Sequence, residues 1–100
     1  MKRHIISPEA SQDLSEIIDY FVTKNINAGE SFVEKFDKKC RYLASFPNMG
    51  RSYENIKVNL RGVPLDGYII LYRVIDNGIE IVRVVSGYRN IESLFSEPDE

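Results

Sequence analysis

The sequence predicts an α+β domain in which a two-helix antiparallel hairpin packs on one face of a small antiparallel sheet, in the order β-α-α-β-β-β. Apolar residues of the first half recur with the 3.6-residue period of a helix, whereas those of the second half alternate as in strands. One hundred residues suffice for one core. We therefore expect a single domain over residues 1–95 and an acidic tail over residues 96–100.

The first predicted elements are a strand over residues 2–6 and a helix that starts after Ser7 and Pro8. Ser7 can accept a hydrogen bond from a free amide of the first turn, and Pro8 lacks the N–H that would be unpaired there. One helix face carries the apolar residues Ala10, Leu14, Ile17, Ile18 and Phe21. The opposite face, expected in water, carries Gln12, Asp13, Glu16 and Asp19.

A second helix is predicted after a short connection that forces the two helices to run antiparallel. Asn27 with Glu30 three residues later has the form of a capping box at its start. Its apolar face carries Phe32, Phe36, Cys40 and Leu43. Pro47 and Gly50 are expected to end it in a turn-rich loop over residues 47–52.

Three strands are predicted in the second half, over residues 56–61, 67–75 and 79–86. The tripeptide Asp76-Asn77-Gly78 between the last two is typical of a hairpin turn. Beyond them, residues 91–95 supply apolar side chains for a short docked segment. The helices should cover one sheet face, which leaves the opposite face free to meet a partner.

Composition excludes several classes of function. The net charge of −2 argues against a general nucleic-acid binder, and no apolar run is long enough to cross a membrane, so a cytoplasmic protein is expected. The lone cysteine, Cys40, is expected to be buried, and neither a metal site nor a glycine-rich phosphate loop is indicated. No cofactor is expected. The sole histidine, His4, lies in the first strand, far in sequence from Cys40, and is interpreted as a strand residue.

Arginines are the most informative polar residues, because a guanidinium stays charged and binds phosphate or carboxylate with two hydrogen bonds. Arg73 can pair with Glu80 or Asp66 across the sheet. Arg83 shares a strand face with Ile81 and Val85 by alternation, so it needs either a structural partner or a functional reason. Both alternatives stay open for Arg61 as well.

Several segments together resemble the RelE/ParE superfamily of bacterial toxins, and its ParE branch in particular. They are Ser7-Pro-Glu-Ala10 with Asp13-Leu14, Ile17-Ile-Asp-Tyr20, Phe46-Pro-Asn-Met-Gly-Arg51, Leu60-Arg61, Gly67-Tyr-Ile-Ile-Leu-Tyr-Arg-Val74 and Ile81-Val-Arg-Val-Val-Ser-Gly-Tyr-Arg89. They span nearly the whole chain.

The resemblance implies the toxin of a plasmid-stabilising type II toxin-antitoxin system, neutralised by a small cognate antitoxin that also sets the oligomeric state. ParE-like members are associated with blocking DNA gyrase and replication. The alternatives are a ribosome-dependent, metal-independent mRNA endonuclease of the RelE type, or an inactive antitoxin-binding module. Whether the protein is an enzyme is left open, with a gyrase inhibitor favoured over a nuclease.

The same resemblance indicates residues for target binding: Arg61, Arg83, Tyr88 and Arg89. Tyr88 is a catalytic acid-base candidate only if the chain is a nuclease. Three departures from the family pattern bear on this choice. Only Lys57 stands where active nucleases are rich in lysine, Ser86 replaces a frequent histidine, and Asn90 replaces a frequent aspartate. The missing lysines favour the reading without nuclease activity.

Overall fold

The structure, a computed structural model, describes residues 2–87 and 91–95. In that part of the chain, two long helices cover one face of a five-stranded sheet, and a third, short helix follows the last strand. The elements are β1 (Arg3–Ile6), α1 (Pro8–Lys24), α2 (Ile26–Ser45), β2 (Arg51–Ser52), β3 (Leu60–Leu65), β4 (Tyr68–Ile75), β5 (Gly78–Ser86) and α3 (Ile91–Leu94), with a 3-10 turn over Pro47–Met49.

The helical hairpin is tighter than its sequence suggests. Ser7 caps α1 as expected, because its hydroxyl accepts a hydrogen bond from the amide of Ala10 at 3.0 Å. The cap of α2 is Asn25, whose side chain accepts from the amide of Ala28 at 2.8 Å, so the capping box predicted at Asn27 is wrong. Asn25 also ends α1, since its own amide donates to the carbonyl of Phe21. One extended residue therefore separates the two helices.

The strand order across the sheet is β1-β5-β4-β3-β2. After α2 the chain enters the sheet at the edge opposite β1 and meanders back until β5 reaches β1, which it joins in parallel. The predicted α+β class and element order are confirmed. The sheet is mixed, because its β1–β5 pair is parallel while the other pairs are antiparallel.

The strand predicted over residues 56–61 is wrong in its position, since β3 runs from Leu60 to Leu65. The preceding residues form a compact loop in which the carbonyl of Tyr53 accepts from the amides of Ile56 and Lys57. Asn59 closes this loop with a positive φ of 66°. The alternation of apolar residues in this segment is typical of a strand. The local hydrogen bonds of the loop nevertheless determine its conformation.

A β-bulge interrupts β5, because Leu71 pairs with Arg83 while the next residue of β4, Tyr72, pairs with Ile81. The extra residue, Val82, reverses the alternation of side chains. Ile81 therefore packs in the core on the helix side and Val85 in the core on the other side. The expectation that Arg83 shares a face with both is wrong for this reason.

Each sheet face has its own apolar core. The larger lies under the helices and includes the predicted face of α2, with Phe32, Phe36, Cys40 and Leu43 all buried. The smaller is formed by Leu60, Leu71 and Val85 and is covered by the loop before β3 and by Ile91, Leu94 and Phe95. The predicted docked segment is therefore present. The prediction that this face is open to a partner is wrong, because that segment occupies much of it.

Burial of Cys40 leads to a prediction about alkaline pH. Removal from water, with a smaller contribution from the Asp37 carboxylate, raises the pKa of this thiol from 9.0 to about 12. The unfolded chain releases the proton above pH 9.0 while the folded chain keeps it, so the free energy of unfolding should fall as pH rises through this window. Cys40→Ala should flatten that fall by up to roughly 1.4 kcal/mol per pH unit.

Urea unfolding between pH 8 and 10.5 measures this slope. A Cys40→Ala chain that is less stable at pH 8 but loses stability as steeply as the parent above pH 9.0 would contradict the assignment.

Candidate functional site

Arg83 is held by the first helix. Its Nε and Nη2 donate to the two carboxylate oxygens of Asp13 at 2.7 and 3.0 Å. The hydrogen bonds that Arg83 donates to Asp13 raise the pKa of the Arg83 guanidinium, and the charge of Asp13 adds to this effect while burial opposes it. Asp13 was expected to face water, and this is wrong, because its side chain is half-buried against β5.

The same region of α1 satisfies the backbone of the bulge. The amide of Val84 donates to Asp13 at 3.0 Å, and the hydroxyl of Ser7 donates to the carbonyl of Val82 at 2.9 Å. β1 pairs with β5 only as far as Ile81, so beside the bulge the side chains of Ser7 and Asp13 supply hydrogen-bond partners for the backbone of β5. Asp13 and Ser7 therefore fix both the bulge and the direction of Arg83.

Arg61 has a different environment. Its Nη1 donates to the carbonyl oxygens of Gly50 at 2.7 Å and Asn48 at 3.3 Å, in the loop that follows α2. Tyr72, its neighbour across the sheet, donates to the carbonyl of Pro47 and accepts from the amide of Gly50. Burial raises the pKa of Tyr72, although the Gly50 hydrogen bond and the nearby Arg61 charge oppose this. The two side chains together secure the 47–50 loop.

Of the predicted target-binding residues, Arg61 and Arg83 do not lie on one face of the sheet. Arg61 lies opposite Tyr72, which belongs to the helix-side core, whereas Arg83 lies opposite Leu71 of the other core. Side chains of directly paired residues share a face, so the two arginines point to opposite sides of the sheet. Tyr88 and Arg89 lie outside the described residues, and their assigned roles stay predictions.

Next to Arg83, on the face away from the helical hairpin, lies a cleft of mixed charge. It is bounded by the start of α1, by β4 and β5, and by Leu94 and Phe95. Arg73 pairs here with Glu80 at 2.6 Å, which is one of the two partners expected from the sequence. Lys57 lies over the ring of Phe95, with its Nζ 5.6 Å from the ring centroid. The cleft brings together three cations, of which two are paired within the chain.

Two further grooves lie along α2. The hairpin groove lies between α1 and α2, where Ile18, Val22, Ile26 and Val33 line an apolar surface edged by Glu30 and Glu34. The lysine groove lies toward the end of α2 and is lined by Lys35, Lys38, Lys39, Tyr42, Met49 and Leu65. Sequence reasoning did not single out these lysines. Their spacing with Tyr42 on α2 is the signal that could have found them.

The described residues contain no group of three or more His, Cys, Asp or Glu side chains that could hold a metal ion. No helix in the described part of the chain is long and apolar enough to cross a membrane. His4 is half-buried in β1 opposite Ile79, as expected of a strand residue.

Comparison with known proteins identifies the family to which this fold belongs. The family model described as "ParE toxin of type II toxin-antitoxin system, parDE" matches residues 5–91. The chain therefore belongs to the ParE toxin family of type II toxin-antitoxin systems.

A solved structure, "Chromosomal ParDE TA system from P. aeruginosa", has a similar fold. The likeness covers 86% of this chain and 96% of that chain, with a TM-score of 0.70 and 20% sequence identity. Comparison with curated proteins found no match.

Proposed function

We propose that this ParE-family toxin acts by binding DNA gyrase and blocking DNA replication, and that a cognate antitoxin neutralises it. The observation that favours gyrase over mRNA as the target is how the guanidinium groups of Arg61 and Arg83 are bound and where they lie. Each guanidinium is hydrogen-bonded within the chain, and the two lie on opposite sheet faces. A nuclease has to direct its cations at one scissile phosphate, where they stabilise developing charge.

An inhibitor that works by occupying a protein surface has no such requirement. It needs a stable shape and a few exposed anchors, and arginine is a frequent anchor in protein interfaces. Arg89, which follows the last strand in sequence, and the acidic residues after it are the anchors we assign to target contact. Arg61 and Arg83 contribute by holding the surface in shape.

The experiment incubates purified gyrase with plasmid DNA, ATP and the chain, and then denatures the protein to reveal linear DNA. We expect linear DNA to accumulate with the dose of toxin. Arg89→Ala should lower its yield at equal concentration by about tenfold, the effect of losing one moderate anchor. Arg41→Ala is the matched control, because Arg41 is exposed on α2 and pairs only along its own helix with Asp37.

No linear DNA at a large excess of toxin, together with cut mRNA in a translating extract, would overturn the proposal in favour of the nuclease alternative. Tyr88→Phe would then be the variant to test, because removal of the hydroxyl abolishes an acid-base role while leaving the ring. Equal yields from Arg89→Ala and Arg41→Ala would overturn the role of Arg89 alone.

A further inference from the structure

The lysine groove has a volume of about 600 Å³, against about 390 Å³ for the hairpin groove. Its floor consists of Tyr42, Met49 and Leu65. These residues come from α2, from the 3-10 turn and from the end of β3, so three separate elements shape it. The space is sufficient for several large side chains of another molecule.

The apolar floor continues into an exposed cluster. Tyr42 is 46% exposed, Met49 59% and Phe46 55%, and the rings of Tyr42 and Phe46 are 5.1 Å apart. Single exposed apolar residues are ordinary on protein surfaces, whereas adjacent ones mark sites of contact with other molecules. This cluster gives a partner an apolar anchor point.

The charged side chains that line the groove are all lysines. Lys35, Lys38 and Lys39 line the groove, and Lys35 contacts the carboxylate of Asp66 at 3.3 Å. The hairpin groove on the same helix has the opposite character, because its charged lining residues are Glu30 and Glu34. Complementary charges select a partner and its orientation at an interface. The lysine groove therefore selects acidic side chains placed around an apolar anchor.

We propose that the lysine groove receives an acidic segment of the antitoxin whose aromatic or aliphatic side chain contacts Tyr42 and Met49. This inference rests on the proposed neutralisation of the toxin by a cognate antitoxin. Lys38 and Lys39 hold the carboxylates of that segment beside the Lys35–Asp66 pair, and the apolar floor holds its anchor. A protein segment is favoured over nucleic acid, because the floor between the lysines is formed by apolar side chains.

The test uses two fluorescein-labelled peptides of equal length, one with glutamates around a leucine and phenylalanine face and one with lysines in place of the glutamates. We expect the full-length chain to bind the acidic peptide more tightly, and higher salt to weaken that binding. Lys38→Glu should weaken it by about tenfold, and Met49→Ala by a similar factor. Lys2→Glu changes the charge equally and lies before β1, at the opposite edge of the sheet, so it should have little effect.

Equal binding of the two peptides would overturn the inference, as would equal effects of Lys38→Glu and Lys2→Glu. Single-stranded DNA that binds as tightly as the acidic peptide and loses as much on Lys38→Glu would reassign the groove to phosphate. A dimer that Met49→Ala dissociates in light scattering would reassign it to self-association. The Lys38→Glu chain should still cause linear DNA to accumulate with gyrase. If the gyrase assay fails for the parent chain, only gyrase as the target is refuted, and the peptide-binding result still holds.

Discussion

Replacement of Asp13 by alanine should lower the free energy of unfolding by about 3 kcal/mol, the low end of the range found when one partner of a buried ion pair is removed, because this pair is only partly buried. The side chains of Arg83 and Asp13 are 24% and 14% exposed. Water can therefore solvate the Arg83 guanidinium only in part once the Asp13 carboxylate is gone. The amide of Val84 also loses its acceptor within the bulge. Three N–H donors, two on Arg83 and one on Val84, thus lose their acceptor in a single substitution.

The matched control is Asp19→Ala, which removes a carboxylate from an exposed position of the same helix. Urea unfolding should place this variant within about 0.5 kcal/mol of the parent. In the double variant Asp13→Ala/Arg83→Met the uncompensated charge is gone, so part of the lost stability should return. Equal stability of Asp13→Ala and Asp19→Ala would contradict the role assigned to Asp13.

Gly78→Ala should have an effect of similar size, for a steric reason. Gly78 has a φ of 151°, a conformation that residues with a side chain rarely adopt. An added Cβ would meet the carbonyl group of Arg3, with the carbonyl carbon at 2.8 Å and the oxygen nearer still. Because this carbonyl belongs to the neighbouring strand, β1 has to move away from β5. We expect a loss of about 3 kcal/mol or more.

Gly67→Ala separates the collision from the backbone strain. Gly67 also has a positive φ, 86°, but nothing lies within 4 Å of a Cβ added there. It should therefore cost only the strain, about 1 kcal/mol. The amide of Ser7 donates to the carbonyl of Ile81 across the β1–β5 junction. Hydrogen exchange at this amide should be faster in Gly78→Ala and unchanged in Gly67→Ala. Equal costs for the two substitutions would contradict the steric explanation.

The elements that were predicted correctly depend on short stretches of sequence. Ser7 and Pro8 start α1, the four-residue and three-residue spacings of Phe32 to Leu43 bury one face of α2, and Asp76 to Gly78 turn β4 into β5. Each of these patterns acts through neighbours on the chain, so the physical cause is present in the sequence itself. The boundary at residue 95 stays a prediction, because residues 96–100 lie outside the described part.

The candidate sites were less predictable. Arg61 and Arg83 were identified as the arginines to examine, but their partners come from residues 11 to 13 and 70 positions away. The pairing of Arg83 with Asp13 depends on a bulge that alternation alone does not reveal. The lysine groove needs α2, the 3-10 turn and the end of β3 side by side, and no single segment contains that information.

The sequence by itself determined the helical hairpin, the order of the elements, the family and the burial of Cys40, because periodicity, caps and turn residues act locally. Only the tertiary structure decided that β1 joins β5 in parallel, that Val82 bulges out, and that Arg61 and Arg83 face opposite sides of the sheet. Those features come from contacts between segments that are distant in sequence. The register in which two strands pair determines the sheet face on which each of their side chains lies.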